Sequence, residues 1–484
     1  MQHSVILRIL GQLLMVFSFT MLPPLLVGLY YNETDVYNSF GNSFIATLVT
    51  GFLLWLPYHK RRGELRLRDG FIIVVLFWTV LGTFGGLPLL LSDAVHITVV
   101  DSLFESISGL TTTGATVMTG LDSLPLSILF YRQQLQWLGG MGIIVLAVAI
   151  LPMLGVGGMQ LYRAETPGPV KDSKLTPRIT ETAKTLWYIY LSLTILCAIS
   201  YWAAGMSIFD AVSHSFATVA CAGFSTHDAS IEYFNSNLIE WAVIIFMLLS
   251  GANFGLHFIA WRSRSVLNYW RDAEFKTYVS ILAVVSIITC SILYMHRVDP
   301  DWMTLITKSV FQVVSMGTTT GFSSTDFSIW PTLLPALLVL ISFVGGCAGS
   351  TGGGMKVIRI LLLFKQGMRE IKRLIHPHAQ FAVKLGKKPV EDRIIEAVWG
   401  FLSAYIAVYV CMMLILMATG LDQVTAFSAV AATLNNMGPG LGEVAHNYAT
   451  ISDFNKIVLC FGMLLGRLEI FTLLVIFTPV FWQR

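Results

Sequence analysis

The stretches SLFESISGLTTTG (102–114) and SVFQVVSMGTTTG (309–321) match at Ser, Phe, Ser, three Thr and Gly, although they lie in distant parts of the chain. Two more stretches fall into the same frame, AVSHSFATVACAG (211–223) and AFSAVAATLNNMG (426–438). Each is moderately apolar, too short to cross a bilayer, and ends in small or polar residues followed by glycine. Gly114, Gly223, Gly321 and Gly438 stand 109, 98 and 117 residues apart in succession. A period of this size is that of a transporter-scale repeat.

Apolar segments surround these stretches, near 5–30, 42–57, 71–93, 128–154, 185–204, 238–260, 278–296, 331–364, 394–419 and 456–482. A helix needs about 20 apolar residues to span a bilayer. The chain of 484 residues is 55% hydrophobic and 12% charged, with a mean hydropathy of +0.70. Soluble proteins carry about 25% charged residues, so this is a polytopic membrane protein. A net charge of only +3 gives no sign of nucleic-acid binding through a basic face. The N-terminal run continues apolar too far for a signal peptide and is read as a retained first helix. The six cysteines are scattered, which supports neither a disulfide framework nor a zinc site. His214, His227, His257, His296, His376, His378 and His446 show no metal-ligand spacing.

Basic residues set the orientation. Lys60, Arg61, Arg62, Arg66 and Arg68 fill the first connection; five more lie between 163 and 184, four between 262 and 276, and ten between 356 and 393. These segments hold 24 of the 31 Lys and Arg and alternate with poorly basic ones. The positive-inside rule places them, and both termini, in the cytoplasm. All four glycine-ended stretches then point outward. The expected fold is an all-α polytopic membrane protein with four parallel pseudo-symmetric repeats around a central pore, plus an N-terminal pair of transmembrane helices. The expected division is 1–69 for that pair, 70–162 for repeat 1, 163–272 for repeat 2, 273–375 for repeat 3 and 376–484 for repeat 4.

Non-helical backbone at membrane depth is tolerated where it is buried in protein or lines a water-filled path. Thr111, Thr112 and Thr113 precede the first glycine; Ala220, Cys221 and Ala222 the second; Thr318, Thr319 and Thr320 the third; Asn435, Asn436 and Met437 the fourth. Such residues let the chain run extended with carbonyls turned inward, and a ring of carbonyls replaces a cation's hydration shell. The short helix before each tip adds its partly negative C-terminal end. The competing reading is small-residue packing in external loops.

On these motifs the sequence resembles the TrkH branch of the Trk/Ktr/HKT superfamily of potassium transporters, over roughly residues 70–484. The resemblance implies four repeats, each similar to one potassium-channel subunit, and a filter built from backbone around Leu110–Gly114, Val219–Gly223, Gly317–Gly321 and Leu434–Gly438. It implies that potassium is the transported ion, bound in that filter without an organic cofactor. It also implies a homodimer in the bacterial inner membrane, docked on a cytosolic TrkA-type ring that binds nucleotide. No repeat spells the TVGYG of potassium channels. Glycine at all four positions favours potassium, because serine at the first goes with sodium preference in plant relatives.

Segment 331–364 differs from the other spans. After Val344 comes GGCAGSTGGG (345–354), with glycine at Gly345, Gly346, Gly349, Gly352, Gly353 and Gly354. Glycine costs about 1 kcal/mol in a helix interior, so the helix should break below the third tip and form a flexible plug. The resemblance names the same stretch as an intramembrane gate. A phosphate-binding loop would need GK[ST] after a strand, which is missing; close helix packing is the other alternative. Arg467 falls inside the last apolar segment, two residues before Glu469. It reads as a cation beneath the filter or against the glycine loop, with a snorkelling arginine or a pair with Glu469 as alternatives. The basic 356–393 stretch suits anionic lipid, a cytosolic regulator or a plain solvated loop.

Neither paired carboxylates, HExxH nor a nucleophile with a base is visible among the spans, so no enzyme is expected. A secondary transporter of another cation or small solute is the alternative function. Channel-like and proton- or sodium-coupled uptake are not separated.

Overall fold

Each re-entrant helix begins at a side chain able to accept a backbone N–H. Thr98, Ser207, Asp301 and Asp422 cap the helices Val99–Leu110, Ile208–Val219, Trp302–Gly317 and Gln423–Leu434. Such caps contribute about 1 kcal/mol each. The four helices also end alike. The N–H groups of Thr113, Ala222, Thr320 and Met437 donate to the carbonyls five residues back, at Ser108, Ala217, Ser315 and Ala432. This Schellman-type closure needs a left-handed residue, usually glycine. Here Thr112, Cys221, Thr319 and Asn436 occupy it, with φ between +51° and +61°. The same local turn, made four times, sends four extended tips out of four helices.

The structure is a computed structural model describing residues 3–60, 67–145, 179–386 and 388–483. Arg61, Arg62, Arg66, Arg163, Lys171, Lys174, Arg178 and Lys387, part of the positive-inside pattern, lie outside the described residues. Every repeat combines an outer helix, a re-entrant helix and an inner helix. The outer helices are Leu67–Gly85, Ile179–Ala203, Ala273–Met295 and Asp392–Ala418. Inner helix 1 is Leu126–Val145. The N-terminal helices span His3–Tyr30 and Tyr37–Tyr58. They cross closely at two glycines: a β-carbon on Gly11 would lie 2.6 Å from the Gly51 carbonyl. Glu33, in the loop joining them, accepts the N–H groups of Leu126 at 2.6 Å and Ser127 at 3.2 Å. The N-terminal pair thereby caps inner helix 1 and binds to the first repeat.

Two expected spans are not straight. Among the described residues six helices are long and apolar enough to cross a membrane, or eight when each bent pair is one span. Inner helix 2 turns by 95° between Asn237–Ser250 and Phe254–Ser263, and inner helix 4 by 109° between Asp453–Arg467 and Phe471–Phe477. At the first break Asn253 stops one helix and caps the next, its side chain accepting the Gly255 N–H at 2.7 Å. At the second, Glu469 takes a left-handed φ of +52°. Inner helix 3 is interrupted as the glycine run demands, with Leu333–Ser342 followed by irregular backbone to Lys356 and then Val357–Ile375. One two-stranded ribbon, Lys384–Leu385 with Lys388–Pro389, accompanies the helices. Cys411 is exposed and Cys290 half-buried, unlike the other four cysteines.

Candidate functional site

The four extended tips close on one another in order. A β-carbon on Gly114 would lie 2.1 Å from the Ala222 carbonyl oxygen, on Gly223 2.1 Å from that of Thr320, on Gly321 2.0 Å from that of Met437, and on Gly438 2.7 Å from that of Thr113. Repeat 1 thus abuts repeat 2, repeat 2 abuts 3, 3 abuts 4, and 4 abuts 1. This cyclic contact makes a ring of main chain. Each glycine also has a left-handed φ, between +77° and +96°. Positive φ and the lack of room both require glycine here.

The ring gathers the candidate residues of the sequence. Gly114 and Gly223 are half-buried, and the remaining eighteen are buried. Leu110, Val219, Gly317 and Leu434 are the last helical residues, one step short of the extended tips. No carboxylate stands among the twenty. Side chains brace the tips. The hydroxyls of Thr111 and Thr113 lie 2.8 Å apart, and those of Thr318 and Thr320 2.7 Å apart. Asn436 donates from Nδ2 to the Thr113 hydroxyl at 2.9 Å, joining repeats 4 and 1.

The glycine-rich loop lies against the helix side of this ring. Thr351 donates its hydroxyl to the Val219 carbonyl at 2.9 Å and lies 3.3 Å from the Cys221 Sγ. The Gly353 N–H donates to the Thr319 hydroxyl at 2.6 Å, and the Gly354 N–H to the Asn435 carbonyl at 3.0 Å. Arg467 completes the set: Nη2 reaches the Thr112 hydroxyl at 2.6 Å and Nη1 the Thr351 carbonyl at 3.4 Å. The loop and Arg467 together touch all four repeats. The other glycines sit within the same fabric. Gly352 accepts from Lys356 Nζ, the Gly346 carbonyl accepts the Val357 N–H, and that of Gly349 accepts the Phe254 N–H. Gly345 and Gly354 form the neck of the loop, a β-carbon on Gly345 falling 2.9 Å from the Gly354 Cα.

Glu469 does not pair with Arg467. Its carboxylate lies 2.8 Å from Arg359 Nη2, because the bend after Arg467 turns the two side chains apart. Arg467 is 7% exposed, which removes the snorkelling alternative.

Several supporting residues escaped the sequence reading. Glu105 and Arg132 form an ion pair at 2.7 Å, both 1% exposed. Glu105 also accepts the Val117 N–H at 2.9 Å, while Arg132 Nη1 donates to the Ser225 carbonyl at 3.2 Å. Gln136 Nε2 donates to the Ala222 carbonyl at 2.7 Å, and its Oε1 accepts the Phe224 N–H at 3.1 Å. The run RQQLQ (132–136), polar inside an apolar segment, was the available signal. Glu274 accepts the Ala348 N–H at 2.7 Å and holds the outer side of the glycine loop.

His227 bridges two repeats. Its Nδ1 lies 2.5 Å from Asp122 and its Nε2 3.4 Å from Asp210, with the Tyr233 ring stacked at 3.5 Å. Burial opposes a charge on His227, but Asp210 and Asp122 outweigh it and hold the pKa above the ordinary 6.5. The same contact, with Ser207 and Thr226, holds Asp210 down to about 2 against burial. A histidine whose folded-state pKa is raised contributes its full stability below the unfolded value of about 6.5 and loses it as pH rises through the higher folded-state value. His227→Gln should therefore lower the melting temperature of purified protein more at pH 6 than at pH 9. The difference should amount to about 1 kcal/mol or less, given the solvent screening of this pair.

A ring of main-chain oxygens inside a multi-pass helical protein, backed by an irregular loop, is the arrangement of a membrane cation-transport protein. The chain belongs to the TrkH family of cation transport proteins, whose family profile matches residues 37–484. It is 56% identical over 484 residues to the Trk system potassium uptake protein TrkH of Escherichia coli, covering 100% of both chains. Identity to the protein of that name in Halomonas elongata is 58% over the same length, again covering 100% of both. Among solved structures, the crystal structure of the potassium transporter TrkH from Vibrio parahaemolyticus superposes with a TM-score of 0.92. It is 54% identical and fully covered on both sides.

Proposed function

We propose that the protein takes up potassium across the bacterial inner membrane through its axial ring. The backbone of Leu110–Gly114, Val219–Gly223, Gly317–Gly321 and Leu434–Gly438 acts as the selectivity filter. The cyclic contact of the four tips carries this reading, since it brings main chain from all four repeats together at one axis. A dehydrated monovalent cation loses a Born energy of order 20 kcal/mol in a low dielectric, and inward carbonyls offset that loss without any fixed charge.

The loop 345–354 is the gate and Arg467 its latch. Their hydrogen bonds to all four repeats support a closed arrangement in which the loop obstructs the inner end of the filter. The division into repeats at 70–162, 163–272, 273–375 and 376–484 follows the period of the four glycines, and the positive-inside pattern puts both termini in the cytoplasm. Family membership supports a homodimer and a cytosolic nucleotide-binding ring of the TrkA type as regulator. The basic 356–393 stretch is the surface placed to meet that ring.

Proteoliposomes holding the purified chain should take up rubidium and potassium faster than sodium by about tenfold or more, equivalent to about 1.4 kcal/mol of discrimination. Equal uptake of sodium would contradict the filter, and absence of any cation flux with the gate loop removed would contradict the pore.

A further inference from the structure

Among the described residues, Val219–Gly223 of the second quadrant close no side-chain hydrogen bond with one another. Quadrants 1 and 3 close an internal hydroxyl pair, Thr111 with Thr113 and Thr318 with Thr320. Quadrant 4 has amides: Asn435 donates to the Ser342 hydroxyl at 2.9 Å and Asn436 to the Thr113 hydroxyl at 2.9 Å. Ala220 and Ala222 can do neither, and the Cys221 thiol reaches outside its own quadrant, to the gate residue Thr351 at 3.3 Å and to Thr320 of the third quadrant. The missing brace comes from inner helix 1 of the neighbouring repeat. Gln136, 0% exposed, grips the chain on both sides of Gly223, donating to the Ala222 carbonyl at 2.7 Å and accepting the Phe224 N–H at 3.1 Å. One partner offers only an acceptor and the other only a donor, so a single amide orientation satisfies both. One helical turn away, Arg132 stacks 4.3 Å over the Phe224 ring and donates to the Ser225 carbonyl at 3.2 Å.

Resting on the filter reading above, we propose that Gln136 is the positioning residue that fixes the second quadrant of the ring and thereby sets its discrimination between potassium and sodium. The Ala222 carbonyl is the oxygen that the Gly114 α-carbon faces across the junction of repeats 1 and 2. Holding it by an external amide keeps the quadrant from collapsing toward a smaller ion. A quadrant free to contract would coordinate sodium nearly as well as potassium. The amide thus does for ACAG what paired threonines do for TTTG.

The test compares Gln136→Leu, Gln136→Asn and Gln133→Leu with the wild-type chain in proteoliposomes, reading the ratio of rubidium to sodium uptake. Gln133 lies on the same helix, fully buried, and neither of its amide atoms has a hydrogen-bond partner among the described residues. Gln136→Leu should lower the ratio by about tenfold or more, through the loss of both buried hydrogen bonds, while rubidium still enters. Asparagine, one methylene shorter, cannot span both partners and should also lower it; that variant decides the matter if the leucine protein does not fold. Gln133→Leu should keep the wild-type ratio. A wild-type ratio in both Gln136 variants would overturn the proposal while leaving the filter intact. So would an equal fall in Gln133→Leu, which would mark a general effect of helix packing. A wild-type chain that does not discriminate would instead remove the filter reading on which the brace rests.

Discussion

Gly223→Ala is expected to reduce potassium uptake by about a hundredfold or more, or to erase its preference over sodium. The added β-carbon would sit 2.1 Å from the Thr320 carbonyl oxygen, with φ at +77°. Neither problem can be relieved by a side chain moving aside, because the obstruction is the main chain of the next repeat. A left-handed conformation costs a non-glycine residue about 1–2 kcal/mol by itself, and displacing the neighbouring oxygen adds to that. Together they exceed the roughly 2.7 kcal/mol that a hundredfold represents. The distortion also spreads around the ring, since the oxygen pushed aside belongs to a different quadrant. Gly367→Ala supplies the control. Gly367 lies in the helix Val357–Ile375 with nothing within 4 Å of its added β-carbon, so uptake should be unchanged and the helix slightly more stable.

Removal of Gly346–Gly353 should raise uptake by about tenfold or more and weaken dependence on a cytosolic regulator. The neck of the loop makes this deletion feasible, because Gly345 and Gly354 already lie against each other and can be joined over a short distance. The ring loses the hydrogen bonds from Thr351 and Gly353 to Val219, Cys221 and Thr319, and the flanking helices lose those of Gly346, Ala348 and Gly349 to Val357, Glu274 and Phe254. Each is worth about 1 kcal/mol, so losing even two would shift a closed gate by more than a factor of ten. Arg467→Ala should act in the same direction but less strongly, since it frees only Thr112 and the Thr351 carbonyl. Unchanged uptake and voltage dependence in both variants would remove the loop and the arginine from gating.

Much of this architecture was readable because it rests on local rules repeated four times. The TTTG pair fixed the frame, and the frame found ACAG and NNMG, which share little with it beyond position. The break at 345–354 followed from glycine density alone. What escaped reading were pairings between distant segments. Glu469 pairs with Arg359 across 110 residues, and nothing in GRLEIF marks that partner. Gln136 stands 86 residues before the carbonyl it grips, and only its polarity within an apolar run hinted at a role. The bends after Ser250 and Arg467 arise from Asn253 and from a left-handed Glu469, whose intrinsic preferences do not distinguish a kink from a continuing helix. Side chains that reach across repeats are set by the assembled packing, which a single reading of the chain does not contain.

Anomalous scattering from crystals of the protein soaked in rubidium tests the ring most directly. The account predicts the strongest peak inside the ring, bounded by the carbonyl oxygens of Thr113, Ala222, Thr320 and Met437, and its loss in the Gly223→Ala protein. Rubidium density bound elsewhere in the membrane region, with the ring empty in a protein that still transports the ion, would contradict it.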